Sequence, residues 1–224
     1  MKCKRCVIPN TRPEIIFNEG GACQACLNYE KRQSVNWLER SLEFREILET
    51  SHKAKKGKYS CIIAISGGKD SYFISNKVFL YGPPGQNCLF VRVNDWFSQT
   101  TESKDNLKNL LSLYPWDFIE YTPNRDEYMR WTRNAFLELA NFPFVDYLIY
   151  AIPFQVASKY EIPLVIFGEN PSFEYGTKDT DSPYVTISTN SWIDKNVPLP
   201  QISPTAKGIY TSYYFPWSGH DNYE

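Results

Sequence analysis

Tyr59-Ser60-Cys61-Ile62-Ile63-Ala64-Ile65, running directly into Ser66-Gly67-Gly68-Lys69-Asp70-Ser71, is the stretch on which the reading of this chain turns. Its first half is a short, nearly continuous apolar run, the pattern of a strand buried on both faces of a parallel sheet. Its second half is a glycine loop, after which the pattern predicts a helix from Ser71 to about Leu80. Two adjacent glycines let the backbone take positive φ and approach an anion with no Cβ in the way. Their N–H groups, with the positive end of the following helix, suit phosphate oxygens. Ser66 and Ser71 add hydroxyl donors and Lys69 adds a cation. Asp70 would repel a phosphate, so its chemical sense is to hold the Mg²⁺ that neutralises a polyphosphate. The spacing is neither G-x-x-x-x-G-K-[ST] nor G-x-G-x-x-G. The plainer alternative is a turn with Asp70 as a helix cap, but six consecutive suitable residues between strand and helix favour the phosphate reading.

Outward from this loop the chain alternates. Cys88–Val93 reads as a second strand after the Gly82-Pro83-Pro84-Gly85 turn, followed by a helix from about Thr101 to Leu113 and a strand near 116–121. Helices are expected over 125–140 and 144–160, and Leu164–Phe167 is a further buried strand that ends at Gly168-Glu169-Asn170. Strands alternating with helices predict an α/β doubly wound parallel sheet, with ligands at the carboxyl ends of its strands. Upstream, Val35, Leu38, Leu42, Ile47 and Leu48 recur at helical spacing within 33–49, and His52–Lys58 reads as a solvated basic linker. Beyond 170 the chain is irregular and rich in Pro, Ser, Thr and Tyr, with no closing helix expected. The implied organisation is a small module over 1–32, a helix and linker over 33–58, and a nucleotide domain over 59–224.

The first 30 residues lack periodicity and are too few to bury a core, so they need a staple. Four of the six cysteines supply one: Cys3, Cys6, Cys23 and Cys26 form two Cys-x-x-Cys pairs separated by sixteen residues. That spacing suits a tetrahedral zinc site, Cys₄ and therefore structural; two disulfides or a redox pair are the alternative. Cys61 and Cys88 fall in strands and read as core. A formal net charge of -1 over 224 residues gives no field that draws the chain to nucleic acid or membrane. No run approaches the roughly 18 apolar residues of a membrane span. The charged N-terminus is followed by no apolar segment of signal-peptide type, so a cytoplasmic location is expected.

Ser66–Ser71 resembles the PP-loop of the ATP pyrophosphatases, whose domain is of the adenine nucleotide alpha hydrolase type. The resemblance implies cleavage of Mg-ATP between its α and β phosphates, with Asp70 and Lys69 acting on the departing pyrophosphate. Further segments narrow it: Cys3-Lys4-Arg5-Cys6-Val7-Ile8-Pro9-Asn10-Thr11-Arg12-Pro13, Cys23-Gln24-Ala25-Cys26-Leu27-Asn28-Tyr29, Gly168-Glu169-Asn170-Pro171 with Tyr175-Gly176, and Tyr214-Phe215-Pro216-Trp217. Together these are similar to the N-acetyl sugar amidotransferase family. That implies conversion of an acetamido to an acetamidino group on an N-acetyl sugar nucleotide, for lipopolysaccharide or a related surface glycan. It also implies ammonia from a separate glutaminase subunit resembling one of histidine biosynthesis. The family's members are longer, so this chain is either a short or truncated form of the nucleotide domain or lacks part of the sugar site.

In that frame Asn94, with Asp95, follows the second strand where nucleoside contacts are implied. Glu169 and Asn170 stand after the last strand, where a carboxylate and an amide suit ribose, Mg²⁺ or the reacting amide. Gly168 belongs to the same strand end. Lys178 and Lys207 read as surface lysines in preference to contacts to a phosphate of ATP or of the sugar nucleotide. His220, a single histidine by the chain end, carries little weight as a group acting near neutral pH. Two other functions stay open: a tRNA-modifying PP-loop enzyme, against which the near-neutral charge argues, and a non-catalytic nucleotide-binding assembly subunit, against which Asp70 argues.

Overall fold

A computed structural model describes residues 1–11, 15–97, 100–168, 170, 182–185, 187, 191–197 and 206–217. Its centre is a five-stranded, all-parallel sheet built from β1 (Cys61–Ala64), β2 (Cys88–Val93), β3 (Asp117–Tyr121), β4 (Leu164–Phe167) and β5 (Lys207–Tyr210). The order is β3-β2-β1-β4-β5. Chain direction across the sheet therefore reverses between β1 and β4, where Ile62 pairs with Val165 and Ile63 with Ile166. Above such a reversal two connections leave in opposite directions and open a crevice.

The central strands are apolar because both faces are covered. On one face Ile62, Leu89, Val91, Val165 and Phe167 meet α5 (Arg125–Leu139) and α6 (Pro143–Tyr160) through Tyr128, Trp131, Phe144, Ala151 and Ala157. On the other, Ile63, Phe90, Leu164, Ile166 and Ile209 meet α2 (Trp37–Ala54), α3 (Lys69–Tyr81) and α4 (Thr101–Leu113) through Phe44, Leu48, Ile74, Val78, Leu107 and Leu110. Alternate residues of each strand divide between these two layers, as a two-residue side-chain period demands. β3, at one edge, is half exposed.

Local chemistry sets the helix limits. Thr100 accepts a hydrogen bond from the Ser103 N–H at 3.1 Å and starts α4; Asn124 accepts from Asp126 and Glu127 and starts α5. Pro143 opens α6, where its missing N–H costs nothing. α5 and α6 end at Ala140 and Glu161, both in the left-handed conformation.

Two elements depart from the sequence reading. The stretch beyond 170 was expected to be irregular, yet it carries α7 (Ser191–Asn196) and the fifth strand β5, whose Ile209 pairs with Ile166 of β4. The first 30 residues were expected to lack regular structure, yet α1 spans Gln24–Arg32, beginning directly after Cys23.

Candidate functional site

The glycine loop lies where the topology puts a ligand, between the carboxyl end of β1 and the start of α3. Gly67 has φ 92, open to glycine and costly for other residues, and a Cβ there would sit 3.2 Å from Cβ of Leu107 on α4. Ser71, almost fully buried, organises the turn: its Oγ accepts from the N–H of Ser66 at 2.9 Å and of Gly67 at 3.1 Å. Gly68 N–H reaches Ser66 Oγ at 3.4 Å. Asp70, in the first turn of α3, accepts from Lys69 Nζ at 2.7 Å; both side chains are partly exposed. A carboxylate is favoured there by the positive end of the helix.

Beside the loop is a cavity of about 220 Å³ lined by Ser66, Asp70 and Ser71 at its polar end, with Val91, Phe167 and Gly168 among the strand-end residues. Ile149, Tyr150 and Pro153 of α6 close one side. Pro153 has no N–H, so it cannot give the carbonyl of Ile149 the usual helical bond. The cavity thus has a polar end joined to an apolar floor.

Among the residues singled out in sequence, Ser66, Asp70, Ser71 and Gly168 come together on this cavity. Gly67, Gly68 and Lys69 belong to the same loop without lining it. Asn94 ends β2 buried, its N–H bonded to the Tyr121 carbonyl and its Nδ2 to Thr122 Oγ1 at 3.1 Å, so it pins β2 to β3. Asp95 accepts from Tyr128 Oη at 2.6 Å, and burial pushes that phenol's pKa up. Asn170 is buried beside β4; its N–H donates to Ser212 Oγ at 3.0 Å. Glu169, Pro171, Tyr175, Gly176, Lys178 and His220 lie outside the described residues. Lys207 is exposed at the start of β5. The resembling segment Tyr214-Phe215-Pro216-Trp217 is packing: Tyr214 and Phe215 are buried against Phe44, and Trp217 leans on Phe73. The α6 wall of the cavity went unread, because apolar residues at helical spacing look the same whether they face core or ligand.

The second constellation is the cysteine cluster. Sγ atoms of Cys3, Cys6, Cys23 and Cys26 all lie within 4.8 Å of one another. Cys3 to Cys26 is 3.9 Å and Cys6 to Cys23 is 3.5 Å. Four thiolates about 2.3 Å from one zinc ion stand about 3.8 Å apart at tetrahedral angles, so the donor set fits one ion. The first knuckle is a tight turn, with Val7 N–H bonded to the Cys3 carbonyl and Val7 itself at φ 56. A β-branched residue is strained there and persists only where its surroundings dictate it. Backbone N–H groups, that of Cys6 foremost, draw the Cys3 thiol down to about 6 against the opposing effect of burial. Burial pushes Cys26 up to about 12. Cys61 and Cys88, by contrast, are fully buried at neighbouring positions of β1 and β2.

No family model matches the chain, and no curated protein matches it. Among solved structures it is similar to the U34-tRNA thiolase NcsA of Methanococcus maripaludis, described with its 4Fe-4S cluster. There the identity is 19% and the TM-score 0.43, over 77% of this chain and 55% of that one. It is also similar to the NH3-dependent NAD synthetase of Campylobacter jejuni, described in complex with nitrate. There the values are 12% and 0.44, over 64% of this chain and 62% of that one. The chain spans less than two thirds of the length of either. No helix among the described residues is long and apolar enough to cross a membrane.

Proposed function

We propose that this chain binds Mg-ATP at the crevice between β1 and β4 and cleaves it to AMP and pyrophosphate, so as to activate an amide oxygen. The observation that carries the reading is the Ser66–Ser71 loop, whose Ser66, Asp70 and Ser71 form the polar end of an otherwise apolar cavity at the sheet's reversal point. The loop amides and the start of α3 would hold the departing pyrophosphate, with Lys69 adding charge. Asp70 would hold Mg²⁺, which when bound neutralises charge on the leaving group. Pro153 and Tyr150 would face the base.

The substrate reading rests on the sequence resemblance carried by the cysteine segments, the loop and the strand-end segments. In it the acetamido oxygen of an N-acetyl sugar nucleotide attacks the α-phosphorus and pyrophosphate leaves. Ammonia, delivered by a glutaminase partner, then adds to the imidate carbon and loses a proton, and AMP departs with the oxygen. The product is an acetamidino sugar for a surface glycan, made in the cytoplasm. The cysteine cluster holds one Zn²⁺ as a structural ion in this reading, since the four sulfurs converge on a single point.

The test is incubation with Mg-ATP, ammonium and a panel of N-acetylated sugar nucleotides, following AMP, pyrophosphate and sugar mass. AMP formed only with one sugar, whose mass shifts by exchange of O for NH, supports the reading. AMP formation that depends on tRNA instead refutes the acceptor, and failure to bind Mg-ATP refutes the site.

A further inference from the structure

The side chain of Arg32 ties the cysteine module to the turn beside the crevice. α1 has its N-cap at Cys23 and Cys26 in its first turn, so two of the four sulfurs fix its amino end. Nine residues later it ends at Arg32, about 14 Å further along the axis at 1.5 Å per residue. Arg32 reaches out of the module entirely: its Nη2 donates to the Ser212 carbonyl at 2.6 Å and to the Phe215 carbonyl at 3.2 Å. Those carbonyls belong to the short 3₁₀ turn Thr211–Tyr213 and the residues after it, immediately beyond β5.

That turn in turn holds the end of β4. Ser212 N–H donates to the Gly168 carbonyl at 3.0 Å, and Ser212 Oγ accepts from the Asn170 N–H at 3.0 Å. Thr211 Oγ1 donates to the Phe167 carbonyl at 2.9 Å. Phe167 and Gly168 line the cavity. Phe167, Gly168 and Asn170 at the strand end are therefore set by a turn, and carbonyls in and just after that turn are gripped by a guanidinium from the cysteine module. Bonds from a cation to two carbonyls are the strong kind. Both bonds leave one nitrogen, and the rigid guanidinium plane that carries it fixes its direction more tightly than a rotating ammonium would.

We propose that Arg32 is a positioning residue through which an ion in the cysteine cluster sets the geometry of Phe167, Gly168 and Asn170 at the crevice. Its consequence for nucleotide binding rests on the function proposed above; the mechanical link does not. An ion drawing the four sulfurs together fixes the start of α1, the helix acts as a strut, and its far end holds the turn. Without the ion the strut loses its anchor and the turn is released. Arg40 of α2, 3.8 Å over the Tyr213 ring, and the burial of Tyr214 and Phe215 keep the turn attached to the fold. The release is consequently local.

Amide hydrogen exchange on the zinc-loaded chain tests this without nucleotide. The reporters are the amides of Asn170, Ser212 and Tyr214; that of Asn94, bonded across β2 and β3, is the control. Stripping the metal with a chelator should speed the three reporters by about tenfold, the worth of one charge-assisted hydrogen bond, and leave Asn94 unchanged. Arg32→Gln with its metal retained should do the same, and chelation of that variant should add nothing. Arg32→Lys should fall between. Reporters that ignore chelation or Arg32→Gln overturn the proposal, and so do two effects that multiply, because independent loosening is not a strut. Mg-ATP titration of the same samples separates the two ideas: coupled exchange without ATP binding leaves the strut intact and refutes only the nucleotide reading.

Discussion

Replacing Gly67 with alanine and Gly68 with alanine should have opposite outcomes, although the two stand side by side in one loop. Gly67 has φ 92, and its added Cβ would meet Leu107 Cβ at 3.2 Å and Cα at 3.4 Å. The left-handed backbone alone costs an alanine about 1–2 kcal/mol. Crowding a buried leucine whose helix backbone cannot retreat adds about 1 kcal/mol. A total of about 2–3 kcal/mol corresponds to a fall in Tm of roughly 5–10 °C for a chain of this size. Gly68 has ordinary backbone geometry at the start of α3, and its Cβ would meet only Ser66 Oγ at 3.6 Å. Gly68→Ala should therefore stay within about 0.5 kcal/mol of the parent. Urea unfolding and calorimetry without nucleotide measure both. Equal losses, or a larger loss at Gly68, would refute the assignment of strain to Gly67. Because Gly68→Ala leaves the fold intact, its effect on Mg-ATP affinity reads the phosphate site alone, and that affinity should drop.

Asp70→Asn should weaken Mg-ATP binding by about tenfold or more in calorimetric titration while leaving Tm nearly unchanged, since its carboxylate faces the cavity and is partly exposed. Undiminished binding would remove it from the metal site. Cys26→Ser should take zinc content from one ion per chain to none by emission spectroscopy, because a hydroxyl is a poor zinc ligand and the other three thiols cannot close the tetrahedron. Asp117 is held below the usual carboxylate range, first by the hydrogen bond from Lys58 and then by that from Tyr59. A depressed folded pKa stabilises at neutral pH and loses its effect as pH falls through it, here below about 4. Asp117→Asn should flatten the acid limb of the stability curve and lower stability only slightly in the neutral range, as suits an exposed pair.

The parts of the fold that sequence disclosed are those where burial on both faces leaves one kind of residue. β1, β2 and β4 are dominated by Cys, Ile, Leu, Val and Phe, Ala64 and Arg92 excepted, because both of their faces are largely covered. β5 hid for the opposite reason. It is four residues, Lys207-Gly208-Ile209-Tyr210, interrupted by the residue that usually weakens a strand. Gly208 is there because Phe154 and Val185 press on it, at 2.4 and 2.8 Å from where a Cβ would stand. α1 was equally unreadable: its positions answer to two sulfurs at one end and a clamp at the other, and it buries Asn28 in place of an apolar stripe. At the crevice, the loop was legible from spacing because its chemistry is local. The α6 wall and the turn after β5 were not, because only the three-dimensional arrangement shows which apolar or hydroxyl residue stands beside the loop.

The placement of β4 between β1 and β5 also bears on how the chain is made. The glycine loop leaves the ribosome with β1, but β4, which pairs with the other edge of β1 from β2, follows about a hundred residues later, and β5 later again. A nascent chain that has reached only α5 holds the loop, β2 and β3, with the inner edge of β1 bare and the apolar residues of that edge uncovered. Such an intermediate has the glycine loop without the crevice and presents an open strand edge to other chains. Slow synthesis or premature termination before Leu164 should therefore yield aggregation-prone fragments, while completion of α6 and β4 closes the edge and the site in one step.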